Sequence, residues 1–297
     1  MPRYGYSANG NIRRSTAGGA ARQRVKVGGI TGLVRSLSGV VMQKILGSAA
    51  FPVLALLAGT VAGAESGPTE GWLVGIGYVI APDPYAGDVA TTDKAIPLLG
   101  YVGERLTWLG PYLSYELVDT GRMNLDVVLA VRFEGIEEDV TSGPLAGVRA
   151  REPALEAGVD AGYGPLLASL RADASGQHNG YEVSLSIGED WYPAERWRLE
   201  GRAGIAWQDA KLTSHFYGVD VTEAGPGLAA YESDAALNYE ASLGLSRQVG
   251  NRWRVFTSVT YQAFDDEISR SPIVDQDYQF SAFAGVTYHF GERPTEE

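Results

Sequence analysis

The sequence predicts an all-β protein: a transmembrane, antiparallel, up-and-down β-barrel of about 12 strands. Three observations predict it. Apolar and polar residues alternate with period two over long stretches. Those stretches run to roughly 10–13 residues, against five or six in most soluble sheets. Aromatic residues gather at their ends, at Trp72, Tyr192, Trp197, Trp207, Trp253, Tyr261, Tyr288 and Phe290.

The alternation assigns faces, because successive side chains on a strand point to opposite sides. In 278–290, Tyr278, Phe280, Ala282, Ala284 and Val286 share one face, and Gln279, Ser281, Phe283, Gly285, Thr287 and His289 share the other. In 197–208, Leu199, Ala203 and Ile205 oppose Arg198, Glu200 and Arg202. Leu125, Val127 and Leu129 oppose Asn124, Asp126 and Arg132. A soluble sandwich would bury such apolar faces against each other, whereas a barrel turns them to lipid. Trp197 and Trp207 favour the barrel. They share a face ten positions apart, ~33 Å along a strand and ~25 Å vertically at a ~40° tilt, the height of an outer-membrane apolar band.

In chain order the expected strands are 71–80, 96–102, 105–109, 111–118, 122–134, 154–163, 166–175, 180–192, 197–208, 235–248, 253–264 and 278–290. Tight turns follow from Gly103-Glu104, Gly110-Pro111, Asp119-Thr120-Gly121, Gly164-Pro165, Pro193-Ala194-Glu195-Arg196 and 249–252. Parity, counted back from a last strand that finishes in the periplasm, places the long loops 135–153, 209–234 and 265–277 outside.

Composition narrows the function. There is no cysteine, which excludes disulfides, thiolate metal sites and cysteine nucleophiles. Residues 1–64 hold eight of the 24 basic residues and no acid, so 65–297 carries 16 basic against 36 acidic residues, net −20. That balance argues against nucleic acid as a partner. Residues 42–64 read as a secretory signal peptide: Lys44, an apolar run from Ile45 to Val61, then the small-residue cleavage site Ala62-Gly63-Ala64. Residues 1–41 read as a disordered basic extension or a misassigned start upstream of Met42. The mature domain is then 65–297, with the segment after Phe290 hanging in the periplasm.

Several segments, taken in order, resemble the MipA/OmpV family of outer-membrane proteins. They are Pro84-Tyr85-Ala86-Gly87-Asp88, Leu145-Ala146-Gly147-Val148-Arg149-Ala150-Arg151, Phe216-Tyr217-Gly218-Val219, Gly227-Leu228-Ala229-Ala230-Tyr231, Ser271-Pro272-Ile273-Val274 and the closing Val286-Thr287-Tyr288-His289-Phe290. The resemblance implies a monomeric outer-membrane barrel in contact with lipid and lipopolysaccharide. It also implies a scaffold role between a lytic transglycosylase and a penicillin-binding protein. A small solute channel and a surface adhesin are the alternative readings.

The face that turns inward carries Asp126, Arg132, Glu156, Asp160, Arg171 and Asp173 together with a candidate lumen network of Glu182, Arg198, Glu200, Arg202, Glu240 and Arg254. Arg198, Glu200 and Arg202 are expected between neighbouring strands that carry Glu182 and Glu240. Such a set either neutralises itself or lines a selective pore; self-neutralisation is the simpler expectation. The acidic stretch 134–139 and the Asp265-Asp266-Glu267 cluster, with Asp275 and Asp277, match no Ca²⁺-loop spacing and read as a solvated rim. His178, His215 and His289 have no nucleophile held beside them by spacing. No catalytic, cofactor or metal residues are therefore expected.

Overall fold

In the computed structural model, residues 70–87, 92–136 and 138–291 are described. The expected extension, the expected signal peptide and the segment after Gly291 lie outside them. Twelve strands close into one barrel: β1 (Gly71–Ala81), β2 (Thr92–Val102), β3 (Leu106–Leu109), β4 (Tyr112–Asp119), β5 (Met123–Arg132), β6 (Ala154–Tyr163), β7 (Leu166–Asp173), β8 (Tyr181–Trp191), β9 (Trp197–Gln208), β10 (Ala236–Val249), β11 (Trp253–Ala263) and β12 (Tyr278–Phe290). Each pairs antiparallel with its sequence neighbours, and β12 closes on β1, from Trp72 opposite Phe290 to Ile80 opposite Ala282.

The faces follow the alternation. On β8 the exposed Val183, Leu185 and Ile187 point out, and Glu182, Ser184 and Ser186 point in. No helix among the described residues is long and apolar enough to cross a membrane; the crossing is made by strands. Short turns join the strands at one end of the barrel, and the long loops lie at the other, where β3 and β4 are joined by the tight Gly110-Pro111 turn. Around the turn end the aromatic girdle is reinforced by cations. Arg122 stands over the Tyr163 ring at 4.8 Å and Arg247 over Trp197 at 5.0 Å.

Two expectations need correction. The second strand begins at Thr92, not at 96. Asp93-Lys94 and Pro97 hide it in the sequence, since a proline removes a ladder donor and is found at sheet edges. The Leu99 carbonyl accepts from the Gly110 amide, so the odd-numbered residues of β2 direct their backbone groups toward β3. β3 pairs only with Gly100, Tyr101 and Val102, and the Pro97 nitrogen therefore faces a stretch of wall where no third strand stands. Second, β7 ends at Asp173 rather than at 175. Its carboxylate accepts from the amides of Ser175, Gly176, His178 and Asn179 and turns the chain out of the ladder.

The long loops carry helices of their own. Residues 209–234 contain α1 (Ala210–Tyr217) and 265–277 contain α2 (Asp266–Ser269). Asp209 caps α1 by accepting from the Leu212 amide at 3.1 Å. Gly180 makes room for this end, because a Cβ there would lie 2.5 Å from the Leu212 nitrogen. Leu212, Thr213, Phe216 and Tyr217 form the buried face of α1.

That face belongs to a core outside the barrel wall. Tyr85, Ile136, Leu145, Val148, Leu212, Phe216, Tyr217, Val219, Leu228, Phe264, Ile268, Ile273 and Val274 are all buried together. They come from the four segments that follow β1, β5, β9 and β11. These leave the rim at separated points, so a core they share spans the mouth. At ~1.5–3 kcal/mol for each large apolar side chain buried, the core is a folded lid.

Candidate functional site

The lumen and its lid form one polar system centred on Arg132. From β5 this side chain reaches three carboxylates: Glu134 at 2.7 Å, Glu156 at 2.8 Å and Glu182 at 3.2 Å. Arg132 is 2% exposed and Glu156 0%. A planar guanidinium with five donors suits such a hub better than an ammonium would. The contacts continue in both directions. His178 Nε2 lies 3.3 Å from Glu156, and its Nδ1 accepts from the Gly180 amide. Glu182 also accepts from Gln208 at 2.9 Å, and Gln208 accepts from Asn238 at 3.3 Å. Asn238 in turn accepts from the amide of Asp265, the cap of α2.

The lid is tied into the same hub. Tyr217 donates its hydroxyl to Glu134 at 2.6 Å, and the Tyr85 ring stacks on Tyr217 with centroids 6.0 Å apart. Burial pushes both phenols well above their ordinary range, with the Glu134 charge acting in the same direction. Gly135 has φ 110°, and a Cβ there would meet Arg151 at 2.8 Å, so the turn after Glu134 requires glycine.

A second ion pair sits within the lid. Glu223 accepts from Arg151 at 2.8 Å and 3.0 Å and from the amides of Arg149 and Asp220. Burial works to raise its pKa, but Arg151 and the amides outweigh burial and hold it at about 2. His215 is pushed down to about 4, by burial first and then by His178 and Arg151.

The six expected lumen residues do not form one cluster. Arg198, Glu200 and Arg202 meet on β9, with Glu200 3.3 Å from Arg198 and 2.9 Å from Arg202. Asp190 on β8 joins them 2.8 Å from Arg198. Glu182 is elsewhere: the ladder sets it opposite Gln208, and its ion-pair partner is Arg132 across the lumen. Glu240 faces Gly204 and Gln262 and makes no ion pair among the described residues. Arg254 lies opposite Gln248 toward the turn end. The role of Arg132 as hub was not visible in sequence, because it depends on a three-strand offset that no spacing records.

The acidic rim also needs correction. Glu134 turns in to Arg132 and Tyr217, Asp139 accepts from the Ala150 amide, and Asp265 caps α2. No group of three or more metal-ligating side chains occurs among the described residues.

The lumen wall also carries an apolar cluster. Phe256 on β11, Phe283 on β12, Val79 and Ala81 on β1, and Ile96 on β2 are buried together with Phe133. The two phenylalanine rings lie 5.5 Å apart. They rest on glycines: Gly77 has Phe283 where a Cβ would go, and a Cβ on Gly285 would lie 2.7 Å from Phe256. Tyr112 marks the seam. Its ring packs against this cluster while its hydroxyl donates to Asp160 at 3.0 Å.

A closed antiparallel barrel with an apolar outer band, aromatic girdles and a largely polar interior defines an outer-membrane β-barrel protein. Comparison of the sequence with known proteins gives the family. The model of the family described as MltA-interacting protein MipA matches residues 74–290, and the chain belongs to that family. Among relatives, the outer membrane protein YiaT of Escherichia coli (strain K12) is 27% identical over 227 residues, covering 73% of this chain and 90% of that protein. The outer membrane protein OmpV of Vibrio cholerae is 26% identical over 199 residues, 64% of this chain and 76% of that protein. The MltA-interacting protein of Escherichia coli (strain K12) is 23% identical over 228 residues, 73% and 89% respectively. Among solved structures, the COG4313 outer membrane channel from Pseudomonas putida F1 aligns over 78% of this chain and 98% of that one, with 12% identity and a TM-score of 0.41. The protein is thus an outer-membrane barrel, and the names of its relatives are those of outer-membrane or interaction proteins.

Proposed function

We propose that the protein is a non-enzymatic scaffold of the outer membrane, closed to solutes and acting as a monomer through its exposed ends. On this reading the loop end faces outward and the turn end presents a periplasmic docking surface to peptidoglycan machinery. The partner class comes from the relative named as MltA-interacting, and is a lytic transglycosylase or an assembly containing one together with a penicillin-binding protein. The observation that carries the reading is the coupling of the lid core to the Arg132 hub through Tyr217 and Glu134. A channel would have to break that coupling to conduct, whereas a scaffold keeps it. The ion pairs that bridge lumen strands, Arg132 to Glu156 and Glu182 and Arg171 to Asp160, support the same reading, since they engage these arginines in the wall rather than leave them open to a permeant anion.

The test is affinity co-purification of the tagged full-length protein from outer-membrane extracts. The expected result is recovery of a lytic transglycosylase, lost when the turn 193–196 is replaced by an unrelated turn of equal length. Failure to recover any peptidoglycan enzyme after chemical cross-linking in cells would contradict the scaffold role.

A further inference from the structure

An arginine stands on the lipid face of β10. That strand turns Tyr239, Ala241, Leu243 and Leu245 outward, and the same face then carries the exposed Arg247. The ladder sets Arg247 opposite Trp197 on β9 and Val255 on β11. A charge facing lipid is costly at the bilayer midplane and nearly free at the interface, so Arg247 belongs at the level of the phosphates. Its ring partner agrees: the guanidinium lies 5.0 Å over Trp197, a member of the girdle at the turn end.

Arg252 supplies a second cation nearby. From the β10–β11 turn it stands 6.0 Å over the Tyr288 ring on β12 and donates to that hydroxyl at 3.1 Å. Between the two arginines, Val249 and Trp253 are paired across the ladder and about half exposed. The Trp253 ring meets Tyr288 edge-on at 4.9 Å. From β9 to β12 this is a strip ~14 Å wide, at ~4.8 Å per strand spacing. It has an apolar floor and a ring-mounted arginine toward each side.

The arginines are open to an anion. A guanidinium over a ring face keeps N–H donors at its edge, where they grip phosphate oxygens two at a time. Neither Arg247 nor Arg252 makes an ion pair among the described residues, and the outward positions of β9–β12 carry no carboxylate. Glu195, in the adjoining turn, lies 3.6 Å from Arg196. The contrast lies inside the barrel, where Arg198 and Arg202 are held by Glu200. Arg122 stands singly over Tyr163 and shares its turn with Asp119.

We propose that this strip binds an anionic glycerophospholipid, with the phosphodiester of phosphatidylglycerol seated between Arg247 and Arg252 and the acyl chains on Leu245 and Val255. The charges select the head group. Two cations with no acid beside them repel the ammonium of phosphatidylethanolamine and accept a phosphodiester whose head carries no cation. With the turn end in the periplasm, the lipid comes from the periplasmic leaflet, and lipopolysaccharide phosphates lie at the other end. The site goes beyond the scaffold reading and does not require it.

The test is native mass spectrometry of the full-length protein, released from detergent micelles that hold equal amounts of phosphatidylglycerol and phosphatidylethanolamine with the same acyl chains. The expected result is retention of phosphatidylglycerol over phosphatidylethanolamine by about tenfold or more, the order expected of two arginines at an anionic lipid. The double variant Arg247→Gln, Arg252→Gln should lose that preference with heat-modifiable migration unchanged. Arg270→Gln, the same charge change at the loop end, should keep it. The double variant Arg247→Lys, Arg252→Lys keeps the charge and loses the paired donors, and should retain distinctly less than the unmodified protein. Equal retention of the two lipids, an unchanged preference in the glutamine variant, or full retention in the lysine variant would overturn the site. Displacement of phosphatidylglycerol from these arginines by an equal amount of lipopolysaccharide would also overturn the assignment. None of these results bears on the scaffold reading, which co-purification decides separately.

Discussion

Tyr217, on the lid helix, donates to Glu134 at 2.6 Å while Glu134 is held by Arg132 at 2.7 Å inside the barrel. One carboxylate thereby joins the core above the mouth to the charge hub below it. Tyr217→Phe should keep the packing and lose the tie, leaving Glu134 to Arg132 alone. Tyr217→Ala adds a cavity costing about 3–5 kcal/mol in the lid. Limited proteolysis of the folded barrel should show loop 209–235 cut faster in the order wild type, Tyr217→Phe, Tyr217→Ala, with heat-modifiable gel migration unchanged.

Arg132→Met strands three carboxylates in a buried site, and removing one member of a buried charge set costs about 3–5 kcal/mol. Arg202→Ala is milder, because Glu200 retains Arg198 at 3.3 Å and the Arg202 side chain is itself partly exposed. Thermal unfolding in detergent should therefore drop much further for Arg132→Met than for Arg202→Ala. Equal shifts would remove Arg132 from the centre of the network.

Acid should open the lid in two stages. His215 is neutral in the closed lid, with its pKa down at about 4, so the open lid binds the proton first. Lid stability is flat above ~6.5, the ordinary histidine value, and declines as pH falls from there toward 4. Glu223, held at about 2, contributes fully above its ordinary value near 4.5 and loses that contribution as pH falls through 2. Protease protection of the loops should follow this profile, and His215→Phe should abolish the first stage alone.

Orientation is testable with single cysteines, since the chain has none. Val221 is 77% exposed on the lid, and the Glu195 side chain is 90% exposed in a tight turn. In intact cells a membrane-impermeant thiol reagent should label Val221→Cys and spare Glu195→Cys. The reverse pattern would invert the barrel.

Much of the barrel was legible because lipid imposes a strict rule on every second residue. Trp197 and Trp207 gave the band height, and the charges on 197–208 gave the inner face. Register was not legible. Glu182 meets Arg132 across the lumen, a contact set by accumulated strand offset rather than by spacing. The lid was hidden for another reason. α1 has eight residues, too few for a periodic signal inside a glycine-rich loop, and its apolar residues pack against three other loops. The start of β2 was masked by Pro97, which a full ladder would not tolerate and a wall with a short third strand does.

The claim on which the rest depends is that the lid and the charge hub close the axial route. Full-length protein reconstituted in planar lipid bilayers measures it directly. The account predicts no steady conductance at neutral pH, with currents appearing when Arg132→Met and Tyr217→Ala are combined. Large, steady, ion-selective currents from the unmodified protein would contradict it and make the protein a channel.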